Sequence, residues 1–189
     1  MKPGLLRKIV IRFLCPAPVV SLYYLLKFGA KVSPRAEVEL SPSIRFGQGC
    51  TVSSFTKIKG AGGGVKVGNR GGFATGCFIS PGEMGIEIGD NFICGPNSSI
   101  TSSNYIYDQI GVHPEDQGHT SKGVRIGDNV WLGAGTVVLD GSVLGDNTIV
   151  VANSLINRRF PPNCVLQGNP AKILMKRTYE GSPKECSSA

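Results

Sequence analysis

The chain of 189 residues has two histidines, one tryptophan and few charges, which make up 17% of it. Its six cysteines, Cys15, Cys50, Cys77, Cys94, Cys164 and Cys186, form no Cys-x-x-Cys pair and no zinc-like spacing. That argues against both a disulfide framework and a structural metal, and reduced thiols fit a cytoplasmic protein. No run of about 20 uninterrupted apolar residues is present to span a membrane. The stretch from Leu5 to Phe28 is apolar and aromatic, but Arg12, Pro16 and Pro18 interrupt it, and no small-residue cleavage site closes it as a secretory signal requires. It is either a helix or hairpin that covers the open edge of a repeat stack, or an interfacial anchor in which Lys2, Arg7, Lys8 and Arg12 meet anionic lipid. The formal charge of +7 lies at this end and in a C-terminal tail with Arg158, Arg159, Lys172, Lys176 and Arg177. There is no aromatic platform with interleaved basic residues, no recognition helix and no zinc finger, so no nucleic acid is expected. A phosphate-bearing small molecule or a membrane face accounts for the charge with fewer assumptions.

What the chain does have is a short phrase repeated five times. Phe46-Gly47-Gln48-Gly49, Val67-Gly68-Asn69-Arg70, Ile88-Gly89-Asp90-Asn91, Ile126-Gly127-Asp128-Asn129 and Leu144-Gly145-Asp146-Asn147 each set a bulky apolar residue before glycine and a polar pair. The apolar position recurs every six residues, most cleanly at Ile126, Leu132, Val138, Leu144, Val150 and Ile156. Neither a helix nor an alternating strand returns to one face every six residues. Three hexads closing a triangular coil do, and such coils stack at about 4.8 Å with the apolar residues inside. Small residues at the fifth place, Thr136, Ser142, Thr148 and Ser154, suit tight corners, and Cys50, Cys77 and Cys94 read as small core residues.

Coils beginning at 46, 67, 88, 126 and 144 step by 21, 21, 38 and 18 residues. The first two surpluses fall at Gly60 to Gly64 and Gly82 to Gly85 as bulging corners. The third leaves an excursion over about 106–125, and long excursions in compact domains are functional or disordered. Both histidines lie in it.

On Ile126-Gly127-Asp128-Asn129-Val130-Trp131-Leu132-Gly133-Ala134-Gly135, Pro161-Pro162-Asn163-Cys164 and Gly168-Asn169-Pro170-Ala171-Lys172, the chain resembles the hexapeptide-repeat acyltransferases. Within these it is most similar to sugar O-acetyltransferases of bacterial surface-polysaccharide synthesis and to their maltose and galactoside relatives. The resemblance implies a mainly β protein, a left-handed parallel β-helix, with an N-terminal helical or extended cap over 1–31, the helix domain over 32–177 and a short tail over 178–189. It further implies a homotrimer with sites in the clefts between prisms, acetyl-CoA as co-substrate, no metal, and a sugar or polysaccharide acceptor. N-acetylation of a nucleotide-linked amino sugar and a coenzyme-binding trimer without turnover stay open as alternatives. A γ-type carbonic anhydrase does not, since it needs three histidines on one metal.

A sugar hydroxyl needs a general base within about 2.6–3.2 Å, and histidine suits that role near neutral pH. Relatives carry this histidine just before the long loop, in patterns such as Asp-His-Asn-His or Thr-Gly-His-Pro, yet the matching position here is Tyr105. His119 and His113, both in the excursion, are therefore the candidate bases. Asn104, Tyr105, Asp108 and Glu83 match the acceptor side. Trp131, Ala134, Ala152, Asn157, Arg158 and Lys172 match the coenzyme side, the alanines where backbone meets pantetheine and the basic residues near the nucleotide end.

Overall fold

The computed structural model describes residues 16–178, and the expectations on Lys2, Arg7, Lys8, Arg12, Cys15, Cys186 and most of the 178–189 tail lie outside them. The chain winds into a left-handed parallel β-helix of three faces. The first face begins at Lys31–Val32 and continues through Thr51–Val52, Gly72–Phe73, Ile93–Cys94, Trp131–Leu132, Ile149–Val150 and Cys164–Gly168. The second runs from Glu37–Val38 to Leu155–Ile156, and the third from Ile44–Phe46 to Arg159–Phe160.

The hexad period is the register. Phe46 pairs with Val67, Val67 with Ile88, Ile88 with Ile126, and Ile126 with Leu144, one per coil on the third face. From Ile126 to Ile156 every sixth residue is 3% exposed or less. Full burial of such a side chain contributes about 1.5–3 kcal/mol, so each coil adds its own share of stability and rests on its neighbours. The strict period ends at Ile156, and the third face resumes four residues later at buried Phe160 before Pro161 and Pro162.

Corners explain the remaining letters of the repeat. Asn91, Asn129, Asn147 and Asn163 take φ of +56° to +59°, a conformation asparagine adopts more readily than most side chains. Their amides form a ladder from coil to coil: Asn91 donates to Asn129 at 2.9 Å, Asn129 to Asn147 at 3.2 Å and Asn147 to Asn163 at 3.0 Å. Beside it, the carboxylates of Asp90, Asp128 and Asp146 accept from the backbone N–H of the coil before, at 2.6, 2.7 and 2.9 Å. At the fifth place, Thr136 and Thr148 are buried and each donates at 2.7 Å to the carbonyl three residues back. Cys50, Cys77 and Cys94 are buried as expected, with the Cys77 and Cys94 sulfurs 3.6 Å apart.

The outer sides of the faces differ. The third carries Arg45, Lys66, Glu87, Arg125, Val143 and Arg159 in register, with Glu87 paired to Lys66 at 3.0 Å and Arg125 at 3.6 Å. Over the later coils the first and second carry Ile93, Trp131, Ile149, Val137 and Leu155, while the second face begins with Glu37 paired to Lys57 at 2.8 Å.

Both ends are closed. The strand Ala171–Lys176 turns back antiparallel on Cys164–Gly168. At the other end, helix α1, Ala17–Phe28, starts behind Pro16 and stops at Gly29, whose φ of +66° permits the reversal. Tyr24 of α1 is fully buried against the Phe46 ring and donates to the Glu39 carbonyl at 2.7 Å. The helical alternative for the N-terminal cap is thus the one found. Burial pushes the Tyr24 phenol above its ordinary value. A phenol raised by folding stabilises the fold fully below its unfolded value near 10 and loses that contribution as pH rises further. Alkaline titration followed by far-UV circular dichroism is therefore expected to detach α1 above about pH 10, and Tyr24→Phe is expected to remove that step.

Candidate functional site

All irregular corners lie between the second and third faces, at 41–43, 60–64, 82–85 and 140–142, so they stack along one edge of the prism. The excursion leaves from this edge after Thr101 and rejoins at Val124. It is ordered: the strands Asn104–Tyr105 and His119–Thr120 pair antiparallel, and a single helical turn, α2, Pro114–Gln117, fills its far part.

Its base is clamped. The Ser102 hydroxyl accepts from Gly82 N–H at 2.7 Å, and the Ser121 hydroxyl donates to the Ser102 carbonyl at 2.7 Å while accepting from Met84 N–H at 3.0 Å. Asp140, 9% exposed, accepts from Lys122 N–H at 2.8 Å and Gly123 N–H at 2.9 Å. Farther out, the Gln117 amide donates to Val112 at 2.8 Å and Gln109 at 3.2 Å and accepts from Gln109 N–H. None of Ser102, Ser121, Gln117 or Asp140 stands out in the sequence, although Asp140-Gly141 is a turn signal. Hydrogen bonds to a buried charge contribute about 1.5–3 kcal/mol each, so Asp140→Ala is expected to lower stability by at least about 2 kcal/mol. It should also speed proteolytic cleavage within 103–122, measured by limited digestion.

The clamp fixes the hairpin and therefore its side chains. Tyr105 and His119 stand directly opposite each other. The next pair outward is bonded from Ile106 N–H to the Gly118 carbonyl at 3.0 Å, which makes Tyr105 and His119 the close, non-hydrogen-bonded kind of pair. Their rings lie 4.3 Å apart at 41°. Among the described residues, the imidazole nitrogens of His119 take no hydrogen-bond partner, and the side chain is exposed. His113 differs: it is the N-cap of α2, its Nδ1 accepting from Glu115 N–H at 3.3 Å. A neutral imidazole whose Nδ1 accepts carries its proton on Nε2, so its basic nitrogen is engaged in the cap.

Glu83 is exposed in the turn between the two clamp contacts at Gly82 and Met84, and Asn104 opposes Thr120. The structure thus brings Glu83, Asn104, Tyr105 and His119 to one corner, with Asp108 and His113 on the outer hairpin. Asn157 and Arg158 lie lower on the same edge. The Arg158 guanidinium donates to the Ala171 carbonyl at 3.0 Å, which places it beside Lys172.

Trp131, Ala134 and Ala152 do not join this group within the chain. Trp131 stands half-exposed on the outer side of the first face between Ile93 and Ile149. Ala134 and Ala152 are exposed on successive coils at the corner between the first and second faces, linked by Asn153 N–H to the Ala134 carbonyl at 2.8 Å. One whole face separates that corner from the hairpin. Among the described residues, no group of three histidine, cysteine, aspartate or glutamate side chains could hold a metal ion.

Residues 123–158 match the family described as bacterial transferase hexapeptide (six repeats). The chain is 37% identical over 115 residues to a putative acetyltransferase of Saccharomyces cerevisiae, covering 51% of this chain and 59% of that protein. It is 39% identical over 69 residues to a putative lipopolysaccharide biosynthesis O-acetyl transferase of Escherichia coli, covering 36% of this chain and 35% of that one. It therefore spans less than two thirds of the curated relatives it matches. A mutant of the N-acyltransferase AntD from Bacillus cereus, solved with dTDP and coenzyme A, superposes with a TM-score of 0.71 at 17% identity over 84% of this chain and 89% of that one, a likeness of fold. These matches bear out the resemblance to the hexapeptide-repeat acyltransferases.

Proposed function

We propose that this hexapeptide-repeat chain is an acetyl-CoA-dependent O-acetyltransferase acting on a sugar hydroxyl of a surface polysaccharide or its precursor, with His119 as the general base. The observation that carries the assignment is the clamped hairpin, which holds an imidazole with unengaged nitrogens on the edge of the prism. His119 takes the proton of the acceptor hydroxyl as its oxygen attacks the thioester carbonyl, and returns it to the departing thiolate. The Tyr105 ring, standing where relatives carry their histidine, holds the imidazole in orientation. Glu83, Asn104 and Asp108 line the acceptor side. Trp131, Ala134 and Ala152 offer small side chains and an aromatic wall to the pantetheine arm, and Asn157, Arg158 and Lys172 meet the nucleotide phosphates. Acetyl-CoA supplies the activated acyl group, so the protein's task is placement.

The distribution of these residues supports a homotrimer. The hairpin edge and the alanine corner of one prism are a face apart, so a complete site forms where the hairpin edge of one copy meets the alanine corner of the next. The third face, with its charges, then looks outward, and the apolar later coils of the first and second faces lie between copies. The relative named for lipopolysaccharide biosynthesis supports the O-linked acceptor.

Two measurements test this. Labelled acetyl-CoA offered with polysaccharide precursors is expected to give a hydroxylamine-labile ester, whereas a stable amide on an amino sugar would assign N-acetylation. Coenzyme binding without product would assign a binding trimer. Secondly, His119→Ala and Ala134→Trp, each inactive alone, are expected to recover about a quarter of wild-type activity when refolded together, because in a random ring one site in four has both halves intact. No recovery would place the whole site in one chain.

A further inference from the structure

Helix α1 is apolar over most of its surface, with Ser21 and Lys27 flanking the side that bears Tyr24. Tyr24 enters the core, yet Val19, Leu22, Leu25 and Leu26 are 46–77% exposed. An apolar helix face is ordinarily covered. Leu22 and Leu26 lie on the opposite side of the helix from Tyr24. Their face therefore looks away from the first coil, against which Tyr24 packs.

Charge identifies what covers it. The first 36 residues hold seven lysines and arginines and no acidic residue, while the rest of the chain holds thirteen of each sign. The net charge of these 36 residues thus equals that of the whole chain. Before α1, Leu5, Leu6, Ile9, Val10, Ile11, Phe13 and Leu14 are interleaved with Arg7, Lys8 and Arg12; after it come Lys31 and Arg35, both exposed. Apolar residues bordered by cations alone match an anionic bilayer surface, whereas a second copy would set the same cations against each other.

We propose that α1, with Lys27, Lys31 and Arg35 beside it, docks the protein on anionic lipid, lying in the plane of the interface. Twelve residues of helix span about 18 Å, short of the roughly 30 Å of a bilayer core. Among the described residues, no helix is long and apolar enough to cross a membrane. Docking and acetyl transfer use different parts of the molecule, so either can fail without the other. If three prisms stand side by side, three such faces share one end, and their simultaneous engagement strengthens attachment.

The test is co-sedimentation of the full chain with vesicles of phosphatidylcholine alone and of phosphatidylcholine with phosphatidylglycerol. Binding to the anionic vesicles is expected to be at least about tenfold stronger and to fall in high salt, and Leu22→Ser with Leu26→Ser to weaken it by about tenfold. A thermal melt within a few degrees of wild type shows that the variant folds, and acetyl transfer to a soluble acceptor is expected to be unchanged. Equal binding to both vesicle types, or none, overturns the proposal. So does a fall in oligomer mass of the variant by light scattering, which would assign the face to a second copy.

Discussion

His119→Ala is expected to lower kcat for acetyl transfer by about two to four orders of magnitude, with KM for acetyl-CoA changed less than about threefold. The separation follows from geometry: His119 projects from the hairpin, whereas Trp131, Ala134 and Ala152 sit on the first face and its corner with the second. Removing the imidazole takes away the proton acceptor and leaves those surfaces intact. Steady-state kinetics with isothermal titration of coenzyme A checks both halves. His113→Ala is expected to cost less than about tenfold, through fraying of the single turn it caps. Tyr105 supplies a finer readout. Tyr105→Phe retains the ring contact and is expected to stay within about threefold of wild type, while Tyr105→Ala lets the imidazole swing and loses about tenfold in kcat. Full activity in both histidine variants would remove the general-base assignment.

The second large effect concerns folding. A Cβ placed at Gly127 would strike the Asp146 carboxylate and lie 2.8 Å from the Asp146 backbone nitrogen of the next coil. Backbone cannot yield there, because Asp128 N–H already donates to Asp146 at 2.9 Å. Gly127→Ala is therefore expected to destabilise by about 2–3 kcal/mol, or roughly 5–10 °C in Tm for a chain of this size. Gly72→Ala is the control. Its Cβ would meet Thr51 at an ordinary 3.5 Å, and the substitution is expected to leave Tm unchanged or slightly raised. Differential scanning calorimetry of the two variants separates crowding between coils from a general intolerance of alanine for glycine.

The same contrast shows what the sequence makes legible. Each core position of the helix repeats, so Ile126 to Ile156 announces its own register, and the surplus residues of the longer coils locate the bulging corners. The glycine and asparagine of the repeated phrase are visible as letters, but their reasons, a neighbouring coil's backbone and an amide ladder, exist only once coils are stacked. The site is less legible. Tyr105 and His119 are fourteen residues apart in a segment with no period, and their pairing is set by clamps at Ser102, Ser121 and Asp140 that look like ordinary loop polarity. His113, equal to His119 as a letter, is distinguished by the helical turn it caps. Matching residues one by one also conceals distance: Ala134 is about as far from His119 in sequence as Tyr105 is, yet it occupies a different corner of the prism.

The returning strand Ala171–Lys176 has a consequence for the size of the particle. A stack of parallel rungs has no intrinsic reason to stop, and a bare terminal rung would be a template on which another molecule's first rung could grow into a filament. Here the last strand of the first face is met by one of opposite direction, whose outer edge bears exposed Lys172 and Lys176, while Tyr24 plugs the other end. On the first face, growth of the stack beyond its last rung is thereby opposed by a strand of the wrong direction, a brake that the fold of a fibre lacks.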